Sequence, residues 1–147
     1  MATDERRIGR GLTTPLIREH GDFANATGAV LLRSCIKQVL NTTAAGFEGR
    51  VGGTYPWRLN FGSWLRLLRH STFFQPTARA GLGTVYVSEA IERWEPRATV
   101  DTQHVTPLQD ATIPNALNLR VYFQVAQELG GDIRTEDASQ NFVEVTA

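Results

Sequence analysis

Apolar side chains recur at intervals of three and four positions in three parts of the chain, a spacing that places them on one face of an α-helix. The first part spans 27–41, the second spans about 61–70, and the third follows a break at Pro76 and Gly81 and is ended by Pro96. The apolar positions that define these faces are Leu32, Cys35, Ile36, Val39, Leu40, Phe61, Trp64, Leu65, Leu68, Val87, Ala90, Ile91 and Trp94. The pattern predicts three amphipathic helices, with a sharp end to the third because proline disfavours helical geometry in the residue before it.

The stretch between the first two predicted helices is rich in turn-forming residues. It contains Gly46, Gly49, Gly52, Gly53 and Pro56. Glycine and proline at this density make the backbone turn repeatedly, which excludes a regular element. Aromatic side chains are expected to anchor the stretch as an ordered loop, namely Phe47, Tyr55 and Trp57.

Two later stretches predict β-strands. The segment from Arg97 to about Val105 is rich in threonine and valine, and 117–125 alternates apolar and polar residues along its length. The proline-containing connection between them favours an antiparallel pair with one face against the helices. Helices followed by a sheet predict an α+β fold, in which amphipathic helices pack on a small, mainly antiparallel sheet in a single domain.

The ends of the chain differ in composition from its middle. Residues 1–26 mix charged residues with glycine and proline and are predicted to form an N-terminal arm, 27–128 the folded domain, and 129–147 a C-terminal extension. The extension is polar except around Phe142, Val143 and Val145. This short apolar run predicts either an added strand or a docking tail, and the sequence does not separate the two.

Length and charge limit the classes of function. A chain of 147 residues is enough for one domain with a real core, and 15 basic and 15 acidic side chains cancel, so no whole-molecule field attracts nucleic acid or an anionic membrane. The first ten residues lack the apolar run of a signal peptide, and no apolar stretch approaches the length of a membrane span. We therefore expect cytoplasmic synthesis without membrane insertion.

The residue types that carry catalysis and metal binding are scattered. Cys35 stands alone on an apolar helix face, where it is expected to be core, and the histidines His20, His70 and His104 lack the spacing of metal ligands. No phosphate-binding loop, nucleophile elbow or distinctive pair of carboxylates is present. We expect no catalytic residue, no metal and no cofactor.

One basic and aromatic patch suggests a second class of function. It combines Arg66, Arg69, His70 and Arg79 with Phe73 and Phe74. Such a mixture can follow a single strand of nucleic acid, but with zero net charge it is a weak signal.

The junction of the third helix and the first strand carries the sequence Trp94-Glu95-Pro96-Arg97. Proline makes this corner stiff, and if Glu95 and Arg97 are extended they project to the same side. A carboxylate and a guanidinium presented together can clamp a partner or can lock the corner of their own subunit. Both interpretations are open from the residues alone.

The setting of this corner resembles the Glu-Pro-Arg signature of the baseplate wedge, or sheath-initiator, family of contractile tails, which serves phage tails, type VI secretion and extracellular contractile injection systems. Three other segments resemble that family in the same order: Gly11 to Leu16, Ile36 to Thr43, and Pro56 to Leu68 with its Phe61-Gly62-Ser63 element. The loop at 46–50 departs from the compact Gly-Glu-Arg of the family, and the chain continues past the usual end near Val125.

The resemblance implies a structural subunit rather than an enzyme. Its partners would be other wedge subunits, bound through Trp94, Glu95, Pro96 and Arg97, and the sheath protein, whose first strands would add to an edge of the sheet. Strand 117–125 is the expected edge. About six copies would surround a central tube, first made in the cytoplasm and then built into a phage tail or injection particle. The alternative is a lysozyme-like hydrolase of peptidoglycan, because some family members carry that label.

Overall fold

A computed structural model of the chain describes residues 10–12, 17–45, 53–70, 76–108, 118–125 and 142–146. Several predictions lie outside these ranges: the start of the arm at 1–9, the loop at 46–50, the aromatic pair Phe73 and Phe74, and the polar part of the extension at 129–141.

Short strands pair within the predicted arm as two antiparallel hairpins: β1 (Arg10–Leu12) with β4 (Asn25–Thr27), and β2 (Arg18–Glu19) with β3 (Asp22–Phe23). The arm rests on the helix that follows it. Ala26 is buried there, and Gly11 lies so close to Leu31 that a Cβ on this glycine would be 2.9 Å from the leucine Cδ1. The arm is therefore attached to the domain through its backbone pairing and these two small residues.

Helix α1 (Gly28–Asn41) matches the first predicted helix, with Leu32 and Ile36 fully buried. The second predicted helix is a 3-10 helix at Leu65–His70, shorter than predicted. Helix α2 (Pro76–Trp94) begins earlier than predicted.

The break predicted at Pro76 and Gly81 does not extend to Gly81, which lies inside α2, whereas Pro76 is the first residue of that helix. Proline is accepted at the first position of a helix because its missing N–H has no intrahelical partner there, and α2 begins at Pro76. A glycine inside a helix costs only about 1 kcal/mol, so Gly81 does not end α2.

Three strands form the principal sheet, in the order β5 (Ala98–Leu108), β6 (Asn118–Val125) and β7 (Phe142–Thr146), with antiparallel neighbours. Alternate side chains of β6 and β7 are buried beneath the helices, with α1 packed on β7 and α2 on β5. The buried set is Leu119, Val121, Phe123, Val125, Val143 and Val145. The α+β prediction is confirmed.

The expectation that 117–125 offers a free edge is wrong, because β6 is the middle strand and pairs on both sides. The cause is the C-terminal segment, whose apolar run forms β7 rather than a loose tail. Val121 of β6 faces Val143 of β7 in the register. The outer strands are β5 and β7.

The two outer strands differ in regularity. In β5 the pairing moves from Val100 opposite Phe123 to Val105 opposite Val121, so 101–104 lie across from one residue of β6. In β7 the five pairs run without a shift. No helix of the described residues is long and apolar enough to cross a bilayer.

Candidate functional site

The corner between α2 and β5 is a tight turn. The N–H of Glu95 donates to the carbonyl of Ile91 at 2.8 Å, which completes the helix end, and the N–H of Ala98 donates to the carbonyl of Glu95 at 3.0 Å. Pro96 occupies the second position of this four-residue turn, where its fixed φ is favoured. The stiff corner predicted from the proline is present.

Glu95 and Arg97 lie on the same side of the corner and bind each other. The guanidinium donates from Nε to Oε1 at 2.5 Å and from Nη2 to Oε2 at 2.7 Å, a bidentate pair. The side chain of Glu95 is 5% exposed and that of Arg97 is 32% exposed. A buried carboxylate needs such a partner, so this geometry supports the internal-lock interpretation for Glu95.

The same guanidinium ties the corner to α1. Nη2 of Arg97 also donates to Sγ of Cys35 at 3.6 Å, across 62 positions of sequence. Burial raises the pKa of the Cys35 thiol, and the charge of Glu95 raises it further, while Arg97 acts to lower it. The hydrogen bond to Glu95 raises the pKa of Arg97, so this arginine stays charged. Cys35 is half-buried against the core and is held as a neutral thiol.

Trp94 joins the corner to the loop that precedes the 3-10 helix. Its ring packs edge to face on Phe61, with the ring centroids 5.2 Å apart. The guanidinium of Arg58 lies 4.8 Å from the centroid of Trp94 and 4.9 Å from that of Phe61. Arg58 is thus held over two aromatic rings by cation–π contacts.

The loop carries exposed apolar side chains beside Arg58. Trp57 is 81% exposed and Leu59 is 50% exposed, and the ring of Trp57 packs on Tyr55 at 5.3 Å between centroids. The expectation that Trp57 anchors the loop from within is wrong, because neighbouring Tyr55 and Phe61 make the inward contacts. Sequence reasoning did not single out Arg58, although its place between aromatic positions was a usable signal.

Backbone hydrogen bonds fix where this loop lies. The N–H of Ser63 donates to the carbonyl of Thr42, the N–H of Ala44 donates to the carbonyl of Ser63, and the Ser63 hydroxyl donates to the carbonyl of Leu40, at 2.9, 3.1 and 2.9 Å. Gly62 has φ +118°, and a Cβ there would lie 2.3 Å from the carbonyl oxygen of Thr42. Only glycine allows this close approach.

A second set of bonds holds the start of the loop. Thr43 and Thr54 bond reciprocally: the N–H of Thr54 donates to the Thr43 carbonyl at 2.8 Å, and the N–H of Thr43 donates to the Thr54 hydroxyl at 2.9 Å. The N–H of Ala45 donates to the carbonyl of Leu59 at 2.7 Å, and the indole N–H of Trp64 donates to the carbonyl of Ala45 at 3.1 Å. Residues 42–45, which follow α1, are therefore hydrogen-bonded to residues 59–64, which contain the Phe-Gly-Ser element.

A small pocket of about 40 Å³ opens between this loop and α2. Asn60 lines it from the loop, and Glu89, Arg93 and Trp94 line it from α2. Its volume is that of roughly one to three water molecules. The described residues contain no cluster of three or more metal-binding side chains, and Glu89 is the carboxylate that lines this pocket.

Only part of the other basic patch lies within the described residues. Arg66 is exposed and Arg79 is half-buried, and the two phenylalanines proposed to accompany them lie outside the described ranges. Arg79 has contacts of its own.

Comparison with known proteins shows similarity in structure. No protein-family model and no curated protein matches the chain. A chain in the cryo-EM structure of the anti-feeding prophage baseplate, six-fold symmetrised, superposes with a TM-score of 0.66 at 14% identity, over 92% of this chain and 96% of that one. The chain therefore shares the fold of a baseplate chain along nearly its whole length.

A crystal structure of a candidate tail lysozyme from Geobacter sulfurreducens is also similar, with a TM-score of 0.48 at 22% identity, over 78% of this chain and 83% of that one. At this level the likeness carries no argument about activity.

Proposed function

We propose that the protein is a structural subunit of the baseplate of a contractile tail or injection particle, where it joins the wedge to the first sheath ring. The observation that carries the proposal is the fold shared with the anti-feeding prophage baseplate chain over 92% of the sequence. The Glu-Pro-Arg corner lies between α2 and β5. The fold and the motif support the same class of protein.

The corner contacts the wedge in this proposal, with different roles for its residues. Pro96 is exposed and Arg97 partly exposed, so they can touch a partner directly. Glu95 is buried and orients Arg97 through two hydrogen bonds, so it acts as a positioning residue. Trp94 supports the corner from beneath through Phe61.

The sheath strand adds to β7 in this proposal. Edge strands are protected from such addition by bulges and by proline, which lacks an N–H donor. β5 has both, at 101–104 and at Pro107, whereas β7 is regular and holds no proline. No described strand pairs with the outer edge of β7.

The proposal includes six copies around a central tube, and the symmetry of the particle that holds the similar chain supports this number. The structure with the same fold is six-fold symmetrised. Each copy would then offer one β7 edge to the first ring of sheath subunits, which matches a role in starting the sheath.

Deletion of the gene from a particle-producing strain tests the role in assembly. We expect particles without an ordered sheath, because the first ring lacks its edge strands, and recovery when the wild-type gene is restored. Electron microscopy of purified particles is the readout. Sheaths of normal length and order on the deletion particles would contradict the proposal.

A further inference from the structure

Exposed apolar side chains and one cation occur together on the aromatic loop surface, which we define as Tyr55, Trp57, Arg58 and Leu59. We propose that this surface is a docking site for an acidic amphipathic protein segment, in which a carboxylate binds Arg58 and a neighbouring apolar side chain packs on Trp57 and Leu59. The proposal concerns the chemistry of this surface and does not depend on the baseplate role.

Arg58 differs from the other well-placed arginines in its lack of an anion. Arg97 is paired with Glu95, and Arg120 lies over Phe142 while donating to Glu144 at 2.6 and 3.0 Å. Arg58 lies over two rings, and no described residue gives it a carboxylate. Its guanidinium edge is therefore available for a bidentate bond from outside.

The guanidinium of Arg58 is already ordered. Contact with Phe61 and Trp94 fixes the position of a long side chain that otherwise loses rotamer freedom on binding. Trp57 is likewise held by Tyr55 while 81% of it faces solvent. Tryptophan and arginine are the residue types most enriched among the energetically dominant residues of protein interfaces.

The backbone beneath the surface is also fixed. The carbonyl of Leu59 accepts from the N–H of Ala45, and Gly53 lies so close that a Cβ there would be 2.7 Å from the same oxygen. A partner would thus meet a preformed surface, which reduces the entropy lost on binding.

The charge around the surface favours a carboxylate partner over a polyanion. Glu89 and Arg93 both line the pocket that adjoins Trp94, so the charges beside the surface cancel and do not form the continuous positive track that a chain of phosphates needs. The chain as a whole has no net charge to attract nucleic acid or anionic lipid. A protein segment with a carboxylate for Arg58 and apolar side chains for Trp57 and Leu59 matches the groups that the surface presents.

Binding of a labelled synthetic peptide of alternating glutamate and leucine, followed by fluorescence anisotropy, tests the proposal on the full chain. The matched probe has glutamine in place of glutamate. We expect the acidic peptide to bind at least about tenfold more tightly than the glutamine peptide. We expect Arg58→Ala and Trp57→Ala each to weaken it by about tenfold, and Arg58→Lys, which keeps charge but loses ring contact, to fall between.

Arg66→Ala is the matched control, since Arg66 is also an exposed arginine, and its affinity should equal that of the wild type. Circular dichroism of each variant verifies the fold. Absence of peptide binding up to about 1 mM, equal binding of the glutamine peptide, or undiminished binding by Arg58→Ala would overturn the proposal. Tighter binding to oligothymidylate or to phosphatidylglycerol vesicles than to the acidic peptide would overturn it as well.

Discussion

Two arginines near Trp94 have opposite surroundings. Arg97 donates hydrogen bonds to the buried Glu95 and to Cys35. Arg58 contacts the rings of Trp94 and Phe61, and no carboxylate of the described residues pairs with it. Arg97, which belongs to the Glu-Pro-Arg motif, is bonded internally, whereas Arg58, which the sequence pattern did not single out, faces solvent. A charged residue in a signature can therefore serve the fold first, while the binding chemistry lies in a neighbouring loop.

The corner at Glu95–Arg97 and the aromatic loop surface both rest on the hydrogen-bonded segment around Gly62. We therefore expect a substitution of this glycine to have the largest effect on stability. Gly62→Ala forces a Cβ to within 2.3 Å of the Thr42 oxygen at φ +118°. We expect a loss of about 3 kcal/mol or more in the free energy of unfolding, measured by urea denaturation. Gly81→Ala in α2 is the control; it meets nothing within 4 Å and should stabilise the protein by up to about 1 kcal/mol. An unchanged free energy of unfolding for Gly62→Ala would contradict the close approach of Gly62 to Thr42.

The second-largest effect on stability is expected at the Glu95–Arg97 ion pair. Arg97→Ala leaves the carboxylate of Glu95 buried without its bidentate partner, which should cost about 2 kcal/mol in the free energy of unfolding. Arg120→Ala removes an ion pair of the same type that is exposed, and should change stability much less. Equal losses in the free energy of unfolding for Arg97→Ala and Arg120→Ala would contradict a buried, bidentate Glu95–Arg97 pair.

The pKa of the Cys35 thiol is a second measure of the contacts at the corner. Burial, then the charge of Glu95, raises the pKa of the thiol from its ordinary value, while Arg97 acts to lower it. Glu95→Gln should therefore lower the pKa and Arg97→Ala should raise it, as read from the pH dependence of alkylation. The native protein binds this proton more strongly than the unfolded chain, so the contribution to stability is present below the ordinary thiol pKa and is lost as pH rises through the raised pKa. Identical alkylation profiles in native and denatured protein would contradict the contact.

The smallest effect on stability is expected at the aromatic loop surface. Trp57→Ala removes a ring that is 81% exposed, so the free energy of unfolding should change by no more than about 0.5 kcal/mol. Thermal denaturation monitored by circular dichroism is the measurement, with Val85→Ala, 57% exposed on α2, as the control. A large loss at Trp57 would mean that this ring supports the loop.

Local patterns predicted much of the fold. The periodicity of Leu32 and Ile36 placed α1 to within a residue at its start, and the alternation of 118–125 placed β6. A helix is predicted from apolar side chains three and four positions apart, and a strand from apolar side chains two positions apart. Pairing with β7 could not be read in the same way, because it depends on contacts such as Val121 with Val143, far apart in sequence.

The site was only partly predictable for the same reason. Spacing placed Glu95 and Arg97 on one side of the corner, but their burial depends on Cys35 in another helix. The exposure of Trp57 depends on Tyr55 and Phe61 taking the inward positions, and nothing in the local composition of the loop distinguishes these three rings.

Capture of the wedge and sheath subunits encoded beside this gene, after co-expression with the tagged wild-type chain, tests the proposed role most directly. We expect the wedge subunit to co-purify with the wild type and with Val85→Ala, and to be lost from Arg97→Ala at a temperature where that variant remains folded. A wild-type chain that captures neither subunit would contradict the assignment to a baseplate.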